Sequence, residues 1–251
     1  MARQSSIIKI KGTLGGVTFY KSKDGYLARE KGGIEASRIK NDPAFQRTRE
    51  NGSEFGRAGH AGKILRSSIR TYLQKASDYR MVSRLTKELI KVIQMDSVNP
   101  RGQRNVIDGE AELLEGFDFN INGKLGTTVF VPYSCTLDRV SGEAKLALET
   151  FIPNVSIGAH SGTTHIKLFR AAMSIDFEQG VSETKTMESS VFPFDTTEIP
   201  SLELINDLTA SSTHASFYVL GIEFYQIVNG INYPLQNGAF NALQIIKVVG
   251  T

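Results

Sequence analysis

Apolar residues recur at spacings of three and four from the middle of the stretch Asp42 to Arg70 onward, which predicts an amphipathic helix. Asp42 is suited to be its N-cap, and Pro43 stands at the first helical position, where the missing N–H costs nothing. We expect this helix to continue to about Ala76. The apolar positions on its core-facing side are Phe55, Ala58, Gly62, Leu65, Ile69 and Leu73.

The same period returns after Ser77 and Asp78, either of which is suited to cap a second helix. The short connection between the two helices predicts a helical hairpin. The apolar stripe of the second helix consists of Met81 or Val82, Leu85, Leu89, and Val92 or Ile93.

Short apolar runs on both sides of this hairpin predict β-strands. Between Ile7 and Glu30 they are separated by Gly15-Gly16 and by Asp24-Gly25, which indicates a small β element with plain turns. From residue 117 onward, strand-like runs alternate with Asn-Gly turns, which predicts an antiparallel β-sandwich or barrel-like domain of about seven to nine strands. We expect Glu198 to Ser212 to be a short helix or a long loop.

The predicted fold class is therefore α+β, in three successive parts. Residues 1–40 form an N-terminal β arm, residues 41–116 a basic helical hairpin with its connector, and residues 117–251 an acidic antiparallel β-sandwich. The boundary near Gly116 follows the punctuation of the connecting segment, which contains Asn99-Pro100 and Asp108-Gly109.

The boundary near Gly116 also separates a basic part of the chain from an acidic part. The chain has 40% hydrophobic and 22% charged residues and a net charge of +3, which is ordinary for a globular protein. However, residues 1–116 hold 22 Lys and Arg against 13 Asp and Glu, whereas residues 117–251 hold 7 against 13. A basic part followed by an acidic part predicts either a second copy of the chain or nucleic acid as the partner.

Four glycines lie at helical spacing on the first helix, and each costs about 1 kcal/mol relative to alanine. Two explanations stay open. Another backbone packs closely against a groove without side chains, within the hairpin or between subunits, or the helix breaks near Asn51-Gly52. The glycines are Gly52, Gly56, Gly59 and Gly62.

Cationic residues also recur at helical spacing on both helices, and on the second they predict a continuous basic ridge. This ridge suits a solvated face, an acidic protein partner or nucleic acid. No aromatic residues are interleaved for base stacking, and Glu88 is close by, which favours the first two. The ridge residues are Lys63, Arg66, Arg70, Arg80, Arg84, Lys87 and Lys91.

No motif for catalysis, metal binding or cofactor binding is present, and we predict a protein that is not an enzyme and has none of these sites. His160 and His165 are close in sequence, but His214 and scattered carboxylates do not complete a zinc set. The single Cys135 lies in a predicted strand, which favours a buried small hydrophobe over a reactive thiol. Without an apolar run long enough for a signal peptide or a membrane span, we expect cytoplasmic synthesis and no membrane insertion.

Five blocks of the sequence resemble a family of uncharacterised proteins of Bacteroidota. This resemblance implies a bacterial or phage-derived cytoplasmic product, and it brings no activity, ligand or functional residue with it. The blocks are KGTLGGVTFYKSKDGYLAREKGG, DPAFQRTRENGSEFGRAG, MVSRLTKELIKVIQ, RGQRNVIDGE and GFDFNINGKL, which lie within the first half of the chain.

These observations favour a non-catalytic structural protein that self-assembles through head-to-tail contacts between its basic N-terminal and acidic C-terminal surfaces. Such a protein is the repeating subunit of a filament, a tube, a shell or a phage-like particle. One alternative is a nucleic-acid-binding protein that uses the basic helical hairpin. The other is a carbohydrate-binding or hydrolytic β-sandwich protein, for which Tyr133, Tyr218, Tyr225 and Tyr233 are the available aromatic platforms.

Overall fold

The computed structural model of the protein describes residues 2–30 and 32–250. The chain divides into two compact units, one ending at Arg49 and the other beginning at Glu50. The predicted domain boundaries at residues 40/41 and 116/117 stay predictions.

The first unit contains a four-stranded antiparallel sheet in the order β1-β4-β3-β2, which confirms the expected β element. Gly15 and Gly16 form the turn between β2 and β3, and a two-residue turn separates the paired residues Ser22 and Gly25. Its elements are β1 (Ala2–Arg3), β2 (Gly12–Leu14), β3 (Val17–Ser22), β4 (Gly25–Glu30) and the helix α1 (Ala36–Asn41).

The predicted helical hairpin is present, and its first helix, α2 (Gln46–Ser68), is continuous through the glycines. It does not continue to Ala76 as predicted, because Ile69 leaves the helical conformation and a separate helix follows it. The alternative break near Asn51-Gly52 is wrong, because α2 has no interruption there. Asp42 caps the short helical turn Pro43–Phe45 that comes just before α2, and its side chain accepts a hydrogen bond from the Ala44 amide at 2.9 Å. Phe55 is 60% exposed and does not belong to the core face, whereas Leu65 is buried. The helices are α2 (Gln46–Ser68), α3 (Arg70–Lys75), α4 (Met81–Gln94) and the single turn α5 (Pro153–Ser156).

Eight antiparallel strands follow, within the predicted range, in two sheets. The first has the order β11-β10-β7-β8, and β12 pairs with another part of β10; the second has the order β5-β6-β9. The expectation of a helix or loop over Glu198 to Ser212 is wrong, because β9 lies there. The strands are β5 (Tyr133–Leu137), β6 (Glu143–Leu148), β7 (His165–Asp176), β8 (Val181–Pro193), β9 (Leu202–Asp207), β10 (Ala215–Val228), β11 (Ile231–Pro234) and β12 (Ala242–Val249).

The five-stranded sheet is the middle layer of the second unit. One face packs against the helices, with Tyr72 of α3 against Phe169 of β7 at 4.6 Å between ring centroids. The other face packs against the three-stranded sheet, with Leu146 and Leu220 in the same apolar cluster. Because β10 is covered on both faces, ten consecutive residues of it are buried, which explains a run that does not alternate.

The helices of the described part of the chain were compared with the length and apolarity that a bilayer requires. None of those helices is both long enough and apolar enough to cross a membrane.

Candidate assembly surfaces

The glycine face of α2 has different surroundings at its two ends. A Cβ added to Gly62 would lie 3.0 Å from Cδ1 of Leu89 on α4, so this glycine permits close packing within the hairpin. A Cβ added to Gly52, Gly56 or Gly59 would meet nothing within 4 Å in the described part of the chain. Packing within the chain therefore explains one of the four glycines, and a role of the others in assembly stays a prediction.

A cleft of about 860 Å³ lies beside this glycine face. Arg57 donates hydrogen bonds across its floor to the carbonyl oxygens of Gln103 and Arg104, the latter at 3.1 Å. Gly56 brings no side chain into the cleft, and the guanidinium of Arg57 points toward the loop that contains Gln103 and Arg104. The lining residues are Ser53, Gly56, Arg57, His60, Ala61, Asn105, Val106, Ile107, Asp108, Phe177 and Glu178.

A buried ion pair fixes the loop that forms the other wall of this cleft. Glu54 accepts from Arg104 Nε at 2.8 Å and Nη2 at 2.9 Å, and from the Gly102 amide at 2.8 Å. The hydrogen bond from Arg104 lowers the pKa of Glu54 and burial opposes the shift without cancelling it. The RGQRNVIDGE block thus has a structural role that the sequence reading missed, because Glu54 lies about fifty residues away.

Arg84 corrects the prediction of a continuous basic ridge. It donates to the carbonyl oxygen of Asp118 at 2.7 Å and to that of Phe119 at 3.2 Å, and it also pairs with Asp78. Its guanidinium lies 5.1 Å from the centroid of the Phe117 ring. Arg84 therefore joins α4 to the segment before the sheets, because its Nη1 and Nη2 donors have partners inside the fold.

Two other members of the predicted ridge are paired or partly buried. Lys91 pairs with Glu88 at 2.6 Å, and partial burial lowers the pKa of Arg66. The remaining cations lie exposed, and their contact with an acidic partner stays a prediction. They are Lys63, Arg70, Arg80 and Lys87.

The N-terminal sheet has two chemically different faces. Register places Arg3 and Leu27 in one cross-strand row with Tyr20, and it places Arg29 opposite Thr18. The Arg29 guanidinium lies 5.4 Å from the centroid of the Tyr20 ring. We call this side the basic face. Its residues are Arg3, Thr13, Thr18, Tyr20, Leu27 and Arg29.

The opposite side of this sheet is mostly apolar, and we call it the apolar face. Leu14 is 71% exposed and Val17 is 37% exposed, and no described residue among 2–49 is buried. A sheet normally becomes stable by covering one apolar face. Gln4 lies on this face as well, and its side-chain amide donates to the carbonyl oxygens of Leu27 and Ile10, both at 3.1 Å. The other residues of the apolar face are Ala2, Leu14, Val17, Phe19, Tyr26 and Ala28, with Lys21 and Glu30 at its two ends.

An acidic row crosses the outer face of the three-stranded sheet. Glu143 of β6 lies directly opposite Asp207 of β9, and both are exposed. Asp138 adjoins them on the other side, because its amide donates to the Glu143 carbonyl oxygen at 2.9 Å. Like charges directly opposite each other on a sheet repel. The Asp138 carboxylate accepts hydrogen bonds from the Val140 amide at 2.9 Å and the Ser141 hydroxyl at 2.7 Å, so the row rests mainly on Glu143 and Asp207.

A charged cluster joins α3 to the middle sheet. Lys75 Nζ lies 2.8 Å from Glu223 Oε1 and 3.2 Å from Glu188 Oε1, and Lys167 also pairs with Glu188. The contact with Glu223 is an ion pair and not an aligned hydrogen bond. Burial, then the hydrogen bond and charge of Glu223, raise the pKa of Tyr225, which donates to that carboxylate.

This cluster lies beside a cleft of about 340 Å³, next to a left-handed backbone segment. Gln236, Asn237 and Gly238 all have positive φ, and a Cβ on Gly238 would lie 2.5 Å from the Lys75 carbonyl oxygen. The cleft offers one tyrosine and one buried carboxylate, and the carbohydrate alternative stays a prediction. The glutamate had no signal in the sequence, whereas Asn237-Gly238 is one of the Asn-Gly turns that the sequence indicates.

His160, His165 and His214 each contact a different residue. His160 stacks on Phe240 with ring centroids 3.5 Å apart, whereas His165 contacts Thr164 and His214 lies 3.9 Å from Asp176. Over residues 2–30 and 32–250, no group of three or more His, Cys, Asp or Glu side chains is placed to hold a metal ion.

Cys135 belongs to a strand of the three-stranded sheet and packs against the apolar cluster between the two sheets. Burial raises the pKa of its thiol to about 12. The thiolate is the reactive form, so this cysteine behaves as the predicted small hydrophobe.

Comparison of the chain with protein-family models, with curated proteins and with solved structures gives no match. The surfaces described above are therefore interpreted from their own geometry and charge.

Proposed function

We propose that this protein is a non-catalytic structural subunit that self-assembles by placing the basic face of one copy against the acidic row of another. The main support is the exposed pair Glu143 and Asp207, whose repulsion a cationic surface relieves. Each copy has one surface of each kind, so the contact is head-to-tail and repeats from copy to copy.

The charge of the two units agrees with this proposal. Residues 1–49 hold 11 Lys and Arg against 4 Asp and Glu, whereas residues 50–251 hold 18 against 22. The proposed basic contact lies in the first unit, where Arg3 and Arg29 share a face, and not at Arg84, whose Nη1 and Nη2 groups donate inside the fold. A filament, a tube, a shell and a phage-like particle are all compatible with one repeating contact.

Light scattering after size-exclusion chromatography, combined with negative-stain electron microscopy, tests the proposal. We expect large assemblies at about 50 mM salt and smaller species at about 500 mM salt, because exposed charges are screened within a few ångströms at high ionic strength. A monomer at high protein concentration in low salt would contradict self-assembly.

Nucleic acid binding is the second hypothesis to separate from the first. A basic surface that neutralises several phosphates gives binding that falls steeply with salt. We expect duplex and single-stranded DNA to leave the mass of the assemblies unchanged. Saturable DNA binding that Arg80→Glu with Lys87→Glu removes would favour the nucleic-acid function instead.

A further inference from the structure

The connection from β1 to β2 is a loop whose base is held by hydrogen bonds. β1 and β2 are the two edge strands of the N-terminal sheet, so residues 4–11 cross its apolar face. The Gln4 side chain donates to the Ile10 carbonyl oxygen at 3.1 Å and accepts from the Ile10 amide at 2.9 Å. Lys9 donates to the Gln4 carbonyl oxygen. The residues between Gln4 and Ile10 are therefore the tip of a closed loop.

This tip presents apolar side chains to solvent. Ile7 is 100% exposed and Ile8 is 76% exposed, and Ile10 at the base is also exposed. Single exposed apolar residues are ordinary, whereas adjacent ones form a patch of the kind that marks a contact site. Lys9 and Lys11 alternate with the isoleucines along the chain. The loop therefore suits an apolar cleft that has carboxylates at its edge.

The cleft beside the glycine face of α2 has this character. Its volume of about 860 Å³ is within the range of about 300–1,000 Å³ that is usual for binding clefts. Asp108 and Glu178 are exposed at the cleft, and the partners of Asp108 are the neutral amides of Asn99 and Asn105. The Arg57 guanidinium points to the loop carbonyl oxygens. The apolar lining residues are Ala61, Val106, Ile107 and Phe177.

The helix beside this cleft also leaves room for a second backbone. An added Cβ at Gly56, which lines the cleft, would meet nothing within 4 Å in the described part of the chain, and the same holds for Gly52 and Gly59. A peptide chain can approach a helix closely where side chains are absent. Docking of a peptide segment would therefore explain open glycines that packing within the chain does not explain.

We propose that the loop of residues 5–11 docks into this cleft of a second copy of the chain, with its isoleucines on the apolar lining and its lysines toward Asp108 and Glu178. Each chain contains both complementary surfaces. This inference rests on the proposed function of self-assembly and adds a second contact to it. Because loop and cleft are different surfaces, the contact is heterologous and repeats from copy to copy.

Thiol cross-linking between two chains of different mass tests the contact. Both full-length chains carry Cys135→Ala; one also carries Ser5→Cys in the loop, and the other carries Ser53→Cys at the cleft. A short bis-maleimide joins the two thiols. The matched control replaces Ser53→Cys by Phe55→Cys, an exposed position two residues further and on the other side of α2. Work at about 500 mM salt weakens the contact between the basic face and the acidic row.

We expect a product that contains both chains from Ser5→Cys with Ser53→Cys, and at least tenfold less with Phe55→Cys. Equal yields, or no product at Ser53→Cys in chains with unchanged circular dichroism, would overturn the docking. A chain that carries both Ser5→Cys and Ser53→Cys identifies the occupant: a cross-link within one chain that persists on dilution would exclude a second copy. The contact between the basic face and the acidic row is measured separately, by light scattering at low salt.

Removing the apolar tip gives a second measurement if a thiol variant does not fold. Ile7→Ser with Ile8→Ser should weaken self-association at 500 mM salt at least tenfold, because the apolar surface that docks is lost. Val140→Ser with Val155→Ser makes similar losses at exposed valines of the second unit and should change nothing. Unchanged association of the isoleucine variant would contradict the docking. Binding of the parent to phosphatidylserine vesicles that this variant loses would assign the loop to a lipid surface instead.

Filling the cleft tests the other side of the contact. Gly56→Leu places a side chain in the cleft, whereas Gly52→Leu adds the same side chain at an open position of α2 that does not line it. We expect only Gly56→Leu to reduce the cross-link between Ser5→Cys and Ser53→Cys, by at least tenfold. An equal yield in the two leucine variants would overturn the assignment of the loop to this cleft.

Discussion

Glu143 and Asp207 lie directly opposite each other on strands β6 and β9, both exposed on the outer face of the three-stranded sheet. Next to them along the strands, Lys145 pairs with Glu203. Cross-strand pairs of opposite charge stabilise a sheet and like charges destabilise it. This strand pair therefore contains one favourable pair and one unfavourable pair.

Neutralising one member of the like-charged pair separates stability from assembly. We expect Asp207→Asn to raise the free energy of unfolding slightly, by less than about 1 kcal/mol, because repulsion across the strands is removed. The same variant weakens assembly at low salt. Urea unfolding at high salt and light scattering at low salt measure the two effects, and a variant that assembles as well as the parent would show that the acidic row is not a contact.

The buried pair Glu54 and Arg104 is expected to dominate the stability of the loop beside the glycine face. Glu54→Gln leaves the partly buried guanidinium of Arg104 without its carboxylate and should cost about 2 kcal/mol in chemical unfolding. The matched control is Glu88→Gln, which removes an i,i+3 pair with Lys91 at the surface and should cost less than about 1 kcal/mol. Similar losses in both variants would contradict the structural role of the buried pair.

The pH dependence of this pair follows from the lowered pKa of Glu54. The carboxyl has a lower pKa in the folded protein than in the unfolded chain, so its contribution is complete above the unfolded value of about 4.3. The contribution is lost as pH falls through the folded pKa. We expect the stability difference between Glu54→Gln and the parent to shrink below about pH 4, and a constant difference from pH 7 to pH 3 would contradict this assignment.

The glycine face gives a prediction that distinguishes folding from assembly. Gly56→Ala with Gly59→Ala should stabilise the isolated subunit, by about 1 kcal/mol for each glycine replaced, because these positions are open and alanine favours helix. Gly56→Leu with Gly59→Leu should also fold but fill the groove. If assembly by the leucine variant is normal, these glycines have no role at a subunit contact.

Gly62 is the control within the same helix. Its added Cβ would already lie 3.0 Å from Leu89, so Gly62→Leu forces the hairpin apart. We expect this variant to lose about 1–3 kcal/mol in thermal or chemical unfolding, as is usual for overpacked cores. A leucine at position 62 without cost would show that α2 and α4 do not pack closely there.

Periodicity predicts the helical hairpin and most of the strands, but it does not predict β9. Leu85 and Leu89 are buried on α4 as their spacing indicates, and Asn229-Gly230 forms the turn between β10 and β11. These features depend on neighbours within a few residues. Phe55 was predicted on the same face as Leu65 but is exposed, because the buried side of α2 passes through Glu54 and Ala58 instead.

Residue spacing could not predict the candidate surfaces, because they depend on contacts between residues that are far apart in the sequence. Arg84 looked like part of a ridge, but its acceptors are carbonyl oxygens more than thirty residues away. Glu143 and Asp207 became neighbours only through strand pairing over more than sixty residues. The overall charge division was visible in the sequence, whereas the particular acidic row and the two faces of the N-terminal sheet required the register.

Cys135 offers a check on the packing between the two sheets. Burial raises its pKa to about 12, against an ordinary value near 8.5, so the thiolate fraction at pH 8 should be about a thousandfold lower than in a free thiol. We expect labelling by a maleimide dye to be slow in the native protein and fast in urea. Val155→Cys in a Cys135→Ala background is the exposed control, and native labelling of Cys135 at the control's rate would contradict its burial.

The most direct test of head-to-tail assembly mixes two charge-reversed variants at low salt. Arg3→Glu with Arg29→Glu reverses the basic face, and Glu143→Lys with Asp207→Lys reverses the acidic row. Each variant alone should show loss of the large assemblies at about 50 mM salt, because two like surfaces meet. Lys63→Glu with Arg70→Glu is the control, since it changes as many charges on the exposed ridge.

In an equimolar mixture, every contact again joins opposite charges, so the two reversed variants should assemble in alternation. The measurement is the mass distribution by light scattering of each variant and of their mixture. Assemblies that form only in the mixture are the result that we predict. A mixture that stays as small as its separate components, or single variants that assemble like the parent, would contradict the proposed contact between the basic face and the acidic row.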